Sequence, residues 1–351
     1  MIAGLSGARS RYVTANRNIS GIYDANDSVY AMEVSVLVYD GVFDSGLAAV
    51  LDVLDGANAM GHDLSDPPTW NVTTVGFESQ IRTGAGHLVT TEPIERIEKS
   101  DLLIVPALAE RRPEALLDRV GGIDLIPVRE LIVDMHERGT PIASACTGSF
   151  LLAEAGILDG RRATTSWWLA PIFRARYPAV GLDQSRMVVS GDGITTAGAA
   201  FGHVDLALAI VRLHSPTLAD LVARYLVIDE RPSQSVYTIP SALAQNDPVV
   251  AAFEQWVREH LADPIGIPDA AKSLGVSLRT LQRSVQRTIG TSPIRFIQDL
   301  RIEQASHLLR TTDLSLEVIA RRVGYEHPNT LRVLLRERTG RTTTDLRGIA
   351  P

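Results

Sequence analysis

Apolar and polar positions follow two alternating patterns between residues 30 and 228, and together they predict an α/β sandwich. Short apolar runs such as "MEVSVLVYDG", "WNVTTVGF", "DLLIVPAL" and "PIASACTG" predict strands, some of them buried on both faces of a sheet. Segments with apolar residues at helical spacing lie between them, among them "SGLAAVLDVLDGANAM" and "VRELIVDMHERG". Because strands alternate with helices, we expect a parallel sheet that is covered by helices on both faces.

The last part of this region predicts further elements of both kinds. "RATTSWW" and "RMVVSGDGITTAG" predict strands, and "HVDLALAIVRLH" and "LADLVARYLVI" predict helices. Neighbouring residues of a strand face opposite sides of the sheet, so we expect Trp167 and Trp168 to point in opposite directions. One indole would then pack in the core, and the other would cover a ligand.

From residue 249 onward the pattern is helical throughout, and this region contains a repeat. "AKSLGVSLRTLQRSVQRTIG" (271–290) and "ARRVGYEHPNTLRVLLRERTG" (320–340) each begin with Ala, and Gly follows four residues later. The match predicts a duplicated helix-turn-helix, in which the Ala lies where two helices cross and the Gly allows the tight turn. The turn glycines are Gly275 and Gly324, and the second helices are expected to bury Leu281 and Leu331.

The outward faces of the two second helices have side chains that suit the major groove of DNA. Arg pairs with guanine, Asn and Gln pair with adenine, and Ser and Thr bind phosphate. The intervening segment "PIRFIQDLRIEQASHLLR" predicts one long helix, which would span about 25 Å and set two recognition helices about one turn of DNA apart. We therefore predict contacts with double-stranded DNA from Ser277, Arg279, Thr280, Gln282, Arg283 and Gln286 in the first unit and from His327, Asn329, Thr330, Arg332 and Arg336 in the second.

These patterns divide the chain of 351 residues into four parts. Residues 1–29 are rich in Ser, Asn, Gly and Arg without an apolar period, so we expect a disordered leader. Residues 30–228 form the predicted α/β domain, and residues 249–351 form the predicted helical domain. Residues 229–248 are rich in Pro, Ser, Gln and Asp, which is typical of a linker.

Composition and charge narrow the classes of function. The apolar runs are too short to span a membrane and no signal peptide is visible, so we expect a cytoplasmic protein without a membrane partner. A single cysteine excludes an intramolecular disulfide and a multi-cysteine zinc site, and we expect neither a metal nor a cofactor. The net charge is −7 overall but +4 in residues 249–351, where 15 Arg and Lys stand against 11 Asp and Glu. A polyanion therefore suits the helical domain as a partner.

The single cysteine, Cys146, lies in "IASACTGSFLLAEAG", where a short strand leads through small residues into a helix. Such an elbow exposes its side chain at the edge of a sheet and beside the positive end of a helix, so we expect a lowered thiol pKa. Catalysis by cysteine needs a base, usually His, within hydrogen-bonding distance. No His lies next to Cys146 in the sequence, so we expect no catalysis by this residue. It then either lines a ligand pocket or packs as an unreactive core residue, and its position at an elbow favours the pocket.

Two known families resemble parts of this chain. Residues 249–351 resemble the AraC/XylS-type DNA-binding domain, through the segment "RIEQASHLLRTTDLSLEVIARRVGYEHPNTL". The preceding domain resembles the flavodoxin-like ThiJ/PfpI domain, a branch of the class I glutamine amidotransferase-like fold. The matching segments are "VYDG", "DLLIVPA", "ASACTGSFLLAEAGILDGRRATTSWW" and "ITTAGAAFGHVDLALAIV". The combination resembles AraC-family regulators of the GlxA type.

The resemblance also bears on the ligand site. Enzymes of this fold often have a His directly after the elbow cysteine, where this chain has Thr147, and related regulators commonly read "ATTHWW" where this chain has Ser166. The family usually has a Glu beside the elbow, for which Asp52 is the candidate here. We therefore expect Cys146, Thr147, Asp52, Ser166 and Trp167 to bind the ligand.

The sequence and the resemblance together predict a ligand-responsive, sequence-specific regulator of transcription that is not an enzyme. Its α/β domain is expected to bind a small polar effector of the amine, amino acid or amide class, to form a homodimer and to modulate DNA binding. Two alternatives stay open. One is a redox sensor that acts through Cys146, and the other is a cysteine-dependent amidase or glyoxalase-type enzyme fused to a DNA-binding domain.

Overall fold

The computed structural model of the chain describes residues 31–61, 68–229, 231, 233–234 and 237–348. The predicted leader, residues 1–29, lies outside the described residues. Within them, alternating strands and helices precede a region of helices. The predicted fold class, a parallel α/β sandwich followed by an all-α domain with two helix-turn-helix units, is confirmed.

The α/β domain contains short strands, most of which form its central sheet. The strands are β1 (Ala31–Leu37), β2 (Thr69–Gly76), β3 (Gln80–Arg82), β4 (Leu88–Thr90), β5 (Glu92–Pro93), β6 (Leu102–Val105), β7 (Ile142–Ala145), β8 (Arg162–Ala163), β9 (Gly181–Leu182), β10 (Val188–Gly191) and β11 (Ile194–Ala197). Seven of them pair in the order β10-β11-β7-β6-β1-β2-β5. All neighbours in this sheet are parallel except β10 and β11, which form an antiparallel hairpin at one edge.

Both faces of the sheet are apolar. Successive side chains of a strand point to opposite sides, so an unbroken apolar run supplies apolar side chains to both faces. In β6, Leu103 and Val105 join one buried cluster, and Leu102 and Ile104 join the other. This double burial explains the unbroken apolar run in the sequence of that strand. The carboxyl ends of β6 and β7 consequently lie side by side in the middle of the domain.

Helices cover the two faces of the sheet and are the main elements of the described residues that follow it. They are α1 (Asp44–Gly61), α2 (Pro113–Gly121), α3 (Ile126–Glu137), α4 (Gly148–Glu154), α5 (Ala170–Arg176), α6 (Gly202–His214), α7 (Pro216–Tyr225), α8 (Pro240–Ala244), α9 (Pro248–Glu259), α10 (Ile267–Ser273), α11 (Leu278–Thr288), α12 (Pro293–Thr311), α13 (Leu316–Arg322), α14 (Pro328–Thr339) and α15 (Thr343–Arg347). Helices α2 to α5 cover one face, and α1, α6 and α7 cover the other.

The prediction of a strand for "RATTSWW" was wrong. Only its first residues form β8, which pairs with β9 outside the main sheet, and Trp167–Leu169 form a 3₁₀ helix. Side-chain hydroxyls supply the hydrogen bonds that a strand ladder would have made. The N–H of Thr164 donates to Oγ1 of Thr196 at 2.8 Å, which is one such replacement.

The helical region has two cores that share α12. Helices α9, α10 and α11 pack on the first half of α12, and helices α13, α14 and α15 pack on its second half. Gly275 and Gly324 have left-handed backbone conformations in the two turns, with φ of 66° and 80°. Leu281 and Leu331 are fully buried. The repeat in the sequence therefore matches a repeat in the packing.

Residues 229–248 contact both neighbouring regions. Gln234 is fully buried against the α/β domain, and α8 packs on α9 and α12. At the end of the segment, the carboxylate of Asp247 accepts hydrogen bonds from the N–H groups of Val249 (2.9 Å) and Val250 (3.3 Å) and so caps α9. The same carboxylate accepts a bond of 2.7 Å from Arg287 of α11.

Replacing Asp247 with Ala is expected to lower the free energy of unfolding by about 1–2 kcal/mol at neutral pH, because the cap and the ion pair are both lost. Although burial raises the pKa of Asp247, the bonds from Arg287 and the two N–H groups outweigh it and lower that pKa below its ordinary value. The stabilisation is therefore present above the ordinary aspartate pKa of about 3.9 and is lost as the pH falls through the lower pKa of the folded state.

Urea unfolding of the wild type and of Asp247→Ala across this pH range measures the difference. Arg287→Ala is the matched control, since it removes the ion pair and leaves the cap, and it should lose less stability than Asp247→Ala. An equal difference between Asp247→Ala and wild type at neutral and acidic pH would contradict the assignment.

Candidate functional site

Cys146 occupies a strained turn between β7 and α4. Its φ of 56° is unusual for a residue with a side chain, and its N–H donates to the carbonyl of Ala197 on the neighbouring strand at 2.8 Å. A side chain on Gly148 would lie 2.4 Å from Oγ of Ser144 and 2.7 Å from the carbonyl oxygen of Pro106. The tight turn after the cysteine therefore requires glycine at position 148, as the predicted elbow does.

Three of the predicted ligand residues meet at this elbow. The hydroxyl of Ser166 donates to Sγ of Cys146 at 2.9 Å, and the hydroxyl of Thr147 donates to the carbonyl of Leu108 at 2.7 Å. A further hydroxyl, that of Thr165, donates to the carbonyl of Cys146 at 2.7 Å. Cys146, Thr147 and Ser166 are only 5%, 2% and 0% exposed, so the elbow is closed to solvent in this conformation.

The expectation of a lowered thiol pKa was wrong. Burial raises the pKa of Cys146, and the hydrogen bond from Ser166 acts in the opposite direction without reversing the shift. Desolvation penalises the thiolate more than the nearby donors stabilise it. The thiol is therefore the resting form of Cys146 at neutral pH.

His203 does not act as a base for this thiol. It is fully buried, its Nε2 accepts from the N–H of Ala107 at 3.1 Å, and its Nδ1 donates to the carbonyl of Ala200 at 2.7 Å. Burial lowers the pKa of His203 to about 4, so the ring is neutral with both nitrogens engaged by the backbone. A side chain on Gly46 would lie 2.6 Å from this ring, which shows how tightly it is enclosed.

The other two predicted ligand residues lie elsewhere. Asp52 is exposed on the side of α1 opposite the face that packs on the sheet, which includes Val50 and Val53. Trp167 is half-buried and packs against the first core of the helical region, whereas Trp168 packs in the α/β domain. Trp167 therefore joins the elbow segment to the neighbouring domain.

Gln234 is a residue of this site that sequence reasoning missed. Its amide nitrogen donates to Oγ1 of Thr164 (3.0 Å), to the carbonyl of Thr165 (2.8 Å) and to that of Arg186 (3.1 Å). Its amide oxygen accepts from the N–H of Trp167 at 3.1 Å. A glutamine in a segment rich in Pro and Ser gives no signal of burial, so only the structure could reveal it.

A second contact joins the two domains next to the first recognition helix. The amide nitrogen of Gln184 donates at 2.7 Å to the carbonyl of Ile289, just after α11, and its oxygen accepts from Arg174 at 2.8 Å. Gly290 follows with φ of 82°, and a side chain there would lie 2.7 Å from the guanidinium of Arg174. The C-terminal end of α11 is thus held against the α/β domain.

The predicted DNA-contacting side chains lie on or next to α11 and α14. Ser277 caps α11 by accepting the N–H of Thr280 at 3.0 Å, and Arg332 of α14 donates to Asn329 at 2.6 Å. Thr280 is half-buried, and the remaining residues of the two sets are exposed. Both sets therefore lie at the surface, one on each unit.

The described part of the chain has neither a membrane-spanning helix nor a cluster of metal ligands. No helix there is long and apolar enough to cross a membrane. No group of three or more His, Cys, Asp and Glu residues in the same part could hold a metal ion.

Alkylation of Cys146 in the folded protein is expected to be at least about tenfold slower than in urea at about pH 8, because the buried thiol seldom ionises. As the chain has one cysteine, the mass of the intact protein reports this reaction alone. Ser166→Ala removes a donor that favours the thiolate and should slow the reaction further. Faster alkylation in the folded protein than in urea would contradict the raised pKa.

Known protein families match both halves of the chain. The DJ-1/PfpI family model matches residues 32–213, and a helix-turn-helix domain model matches residues 270–348. The HTH-type transcriptional regulator CdhR of Pseudomonas aeruginosa is 28% identical over 324 residues, which cover 90% of this chain and 91% of CdhR.

Two other relatives match over shorter lengths. The HTH-type transcriptional regulator GbdR of Pseudomonas aeruginosa is 26% identical over 58% of this chain and 57% of its own length. The HTH-type transcriptional regulator GlxA of Rhizobium meliloti is 27% identical over 54% of this chain and 60% of its own length. The chain belongs to the DJ-1/PfpI family, and with its AraC-type helix-turn-helix domain it is a transcriptional regulator of the GlxA type.

Proposed function

We propose that this regulator responds to a small polar metabolite, which its α/β domain binds at the Cys146 elbow without turning it over. The proposed domains are residues 30–228, which bind the effector, and residues 249–351, which bind DNA, with residues 229–248 between them. The main support is that Trp167 of the elbow segment packs on the first core of the helical region, while Gln234 holds the backbone of the same segment.

Ligand entry and domain coupling involve the same few residues. Because Cys146, Thr147 and Ser166 are closed to solvent, a ligand that reaches them must bind a conformation in which the neighbouring chain has moved. Ser166 directly precedes Trp167, whose N–H is held by Gln234 and whose indole packs on the first core of the helical domain. Such a movement would change both contacts, and the ligand's preference for the open form would set the size of the response.

The chemistry of the elbow supports a polar ligand that is recognised by hydrogen bonds. The site offers the hydroxyls of Ser166 and Thr147 and the thiol of Cys146, which are neutral groups able to donate and to accept. An amide, an amine or an amino acid has complementary groups. These are the effector classes that we propose.

The surroundings of the thiol support binding without turnover. Its pKa is raised by burial, and the groups that hydrogen-bond to Sγ come from Ser166 and Thr147, which are not bases at neutral pH. His203 is engaged by backbone groups on both nitrogens. A nucleophilic cysteine needs a base that takes its proton, and none of these residues supplies one.

We further propose that the regulator acts in the cytoplasm as a homodimer on double-stranded DNA. Two-fold proteins suit paired half-sites, and each chain offers two recognition helices. The residues proposed to contact DNA are Ser277, Arg279, Thr280, Gln282, Arg283, Gln286, His327, Asn329, Thr330, Arg332 and Arg336.

Replacing Arg279 or Arg332 with Ala is expected to weaken binding to a duplex selected from a random-sequence pool by about 1–3 kcal/mol, the contribution of an arginine that pairs with guanine. Fluorescence anisotropy with the full chain measures this loss. Arg224→Ala, an exposed arginine on α7, is the charge-matched control and should have no effect. Binding that does not weaken as salt rises, or an equal loss in the control, would contradict the assignment.

An effector from a panel of amino acids, alkylamines and carboxamides is expected to raise the thermal stability of the full chain and to be recovered unchanged. At 100 times its dissociation constant it should add about 2.7 kcal/mol to the free energy of unfolding. Gln234→Ala should keep this shift but lose most of the effect of the ligand on DNA affinity. Gln245→Ala, an exposed glutamine of the same segment, is the matched control.

Three other results would each contradict a different part of the proposal. A ligand that is consumed would support the enzyme alternative and overturn binding without turnover. A ligand that shifts stability and still changes DNA affinity fully in Gln234→Ala would overturn the proposed coupling. If the panel gives no shift at all, the proposed effector classes are wrong.

A further inference from the structure

The two helix-turn-helix units are joined by one continuous helix. Phe296 and Leu300 of α12 belong to the first core, and Ala305 and Leu309 belong to the second. A shared helix sets the distance between the two units along its axis. A contact away from that axis is needed to resist rotation of one unit against the other.

Arg301 supplies such a contact at the middle of α12. Its Nη2 donates at 2.9 Å to the carbonyl of Asp263, in the loop between α9 and α10 of the first unit. Its Nη1 donates at 3.2 Å to the carbonyl of Gly324, in the turn of the second unit. One planar cation thus bridges backbone groups of both units, and hydrogen bonds from a charged donor are among the stronger ones.

The turn of the second unit fits this contact because it contains glycine. A side chain on Gly324 would lie 2.3 Å from the carbonyl oxygen of Leu261 and 2.5 Å from Nη2 of Arg301. Its φ of 80° also favours glycine. The turn therefore packs directly on the first unit, and the position does more than reverse the chain between α13 and α14.

The contact lies next to the start of the second recognition helix. The ring of Tyr325 stacks against the guanidinium of Arg301, which is 5.5 Å from the ring centroid. His327 and Thr330 of the proposed DNA surface line the same cleft as Arg301 and Tyr325. A change in this contact would therefore reorient α14 relative to α11.

We infer that Arg301, together with Gly324, fixes the relative orientation of the two recognition helices and so sets the spacing between the two DNA segments that one chain reads. Arg301 is a positioning residue, which acts through the second unit and not by touching DNA. The inference goes beyond the response to an effector, and it rests on the proposed DNA contacts of α11 and α14.

The test begins with duplexes that the full-length wild type selects from a random-sequence pool. Affinity is then measured for the selected duplex and for versions with one base pair added or removed between the two contacted segments. Arg301→Ala should lower affinity for the selected spacing by about tenfold, as expected for the loss of bonds from a charged donor, and the preference for that spacing should fall with it. Binding to a duplex that keeps only the segment read by the first unit should be unchanged.

Gly324→Ala disturbs the contact from the other side and should also weaken the spacing preference. Arg310→Ala removes the same charge from an exposed position of α12 and should leave the preference intact. Thermal melting establishes that each variant is folded. If Arg301→Ala does not fold, Arg301→Lys keeps the charge but cannot bridge both carbonyls in a plane, and it should show the same loss of preference.

The possible results distinguish a failure of the proposed DNA contacts from a failure of the role proposed for Arg301. If the wild type selects no duplex, the proposed DNA contacts are wrong. If the wild type prefers one spacing and the Arg301 and Gly324 variants keep that preference, the inference is overturned. The slope of log affinity against log salt concentration could instead fall by about one in Arg301→Ala while the spacing preference is kept. That result would show that Arg301 binds a phosphate directly.

Discussion

The buried side-chain amide of Gln234 fixes the backbone of segment 164–167, from which Trp167 reaches the helical region. The segment 164–167 leaves the sheet before it can form a strand ladder, so its backbone groups need other partners. Gln234 bonds to the carbonyl of Thr165 and to the N–H of Trp167. Unpaired buried polar groups cost free energy comparable to a lost hydrogen bond, so the position of this segment depends on the residue that follows the α/β domain. Gly198 leaves the space that Gln234 occupies, since a side chain there would lie 2.2 Å from its amide nitrogen.

The backbone of the elbow has the geometry of a nucleophile site, but the surroundings of the Cys146 thiol do not favour the thiolate. Cys146 has the strained φ that directs a side chain away from a strand-to-helix turn. Its surroundings, however, favour the neutral thiol, and the buried His203 binds backbone groups of the loop after β6 and of the loop before α6. A closed, neutral and polar site is better suited to recognising a molecule than to activating one. Because the same groups are closed to solvent, the proposed ligand could reach them only if the surrounding chain moved.

Two contacts join the α/β domain to the region proposed to bind DNA. Trp167 packs on the first core, and Gln184 holds the carbonyl at the end of α11. Both contacts reach the first helix-turn-helix unit. The second unit is connected through α12 and Arg301, so it follows the first. Under the proposed function, a movement of Trp167 would reach the first unit directly and the second through α12 and Arg301.

The sequence by itself determined the central elements and their order, apart from the strand expected over "RATTSWW", because these elements depend on local periodicity and on turn residues. The apolar runs predicted the central strands, and the repeat predicted both turn glycines and the leucines buried behind them. It also predicted that Cys146, Thr147 and Ser166 belong together, partly through family resemblance.

Only the tertiary structure decided the environment of these groups. The thiol pKa depends on burial, Asp52 lies on the exposed side of its helix, and Trp167 turns toward the other domain. Gln234 and Arg301 gave no sequence signal, because their partners are backbone groups far along the chain, and a backbone carbonyl is the same at every residue.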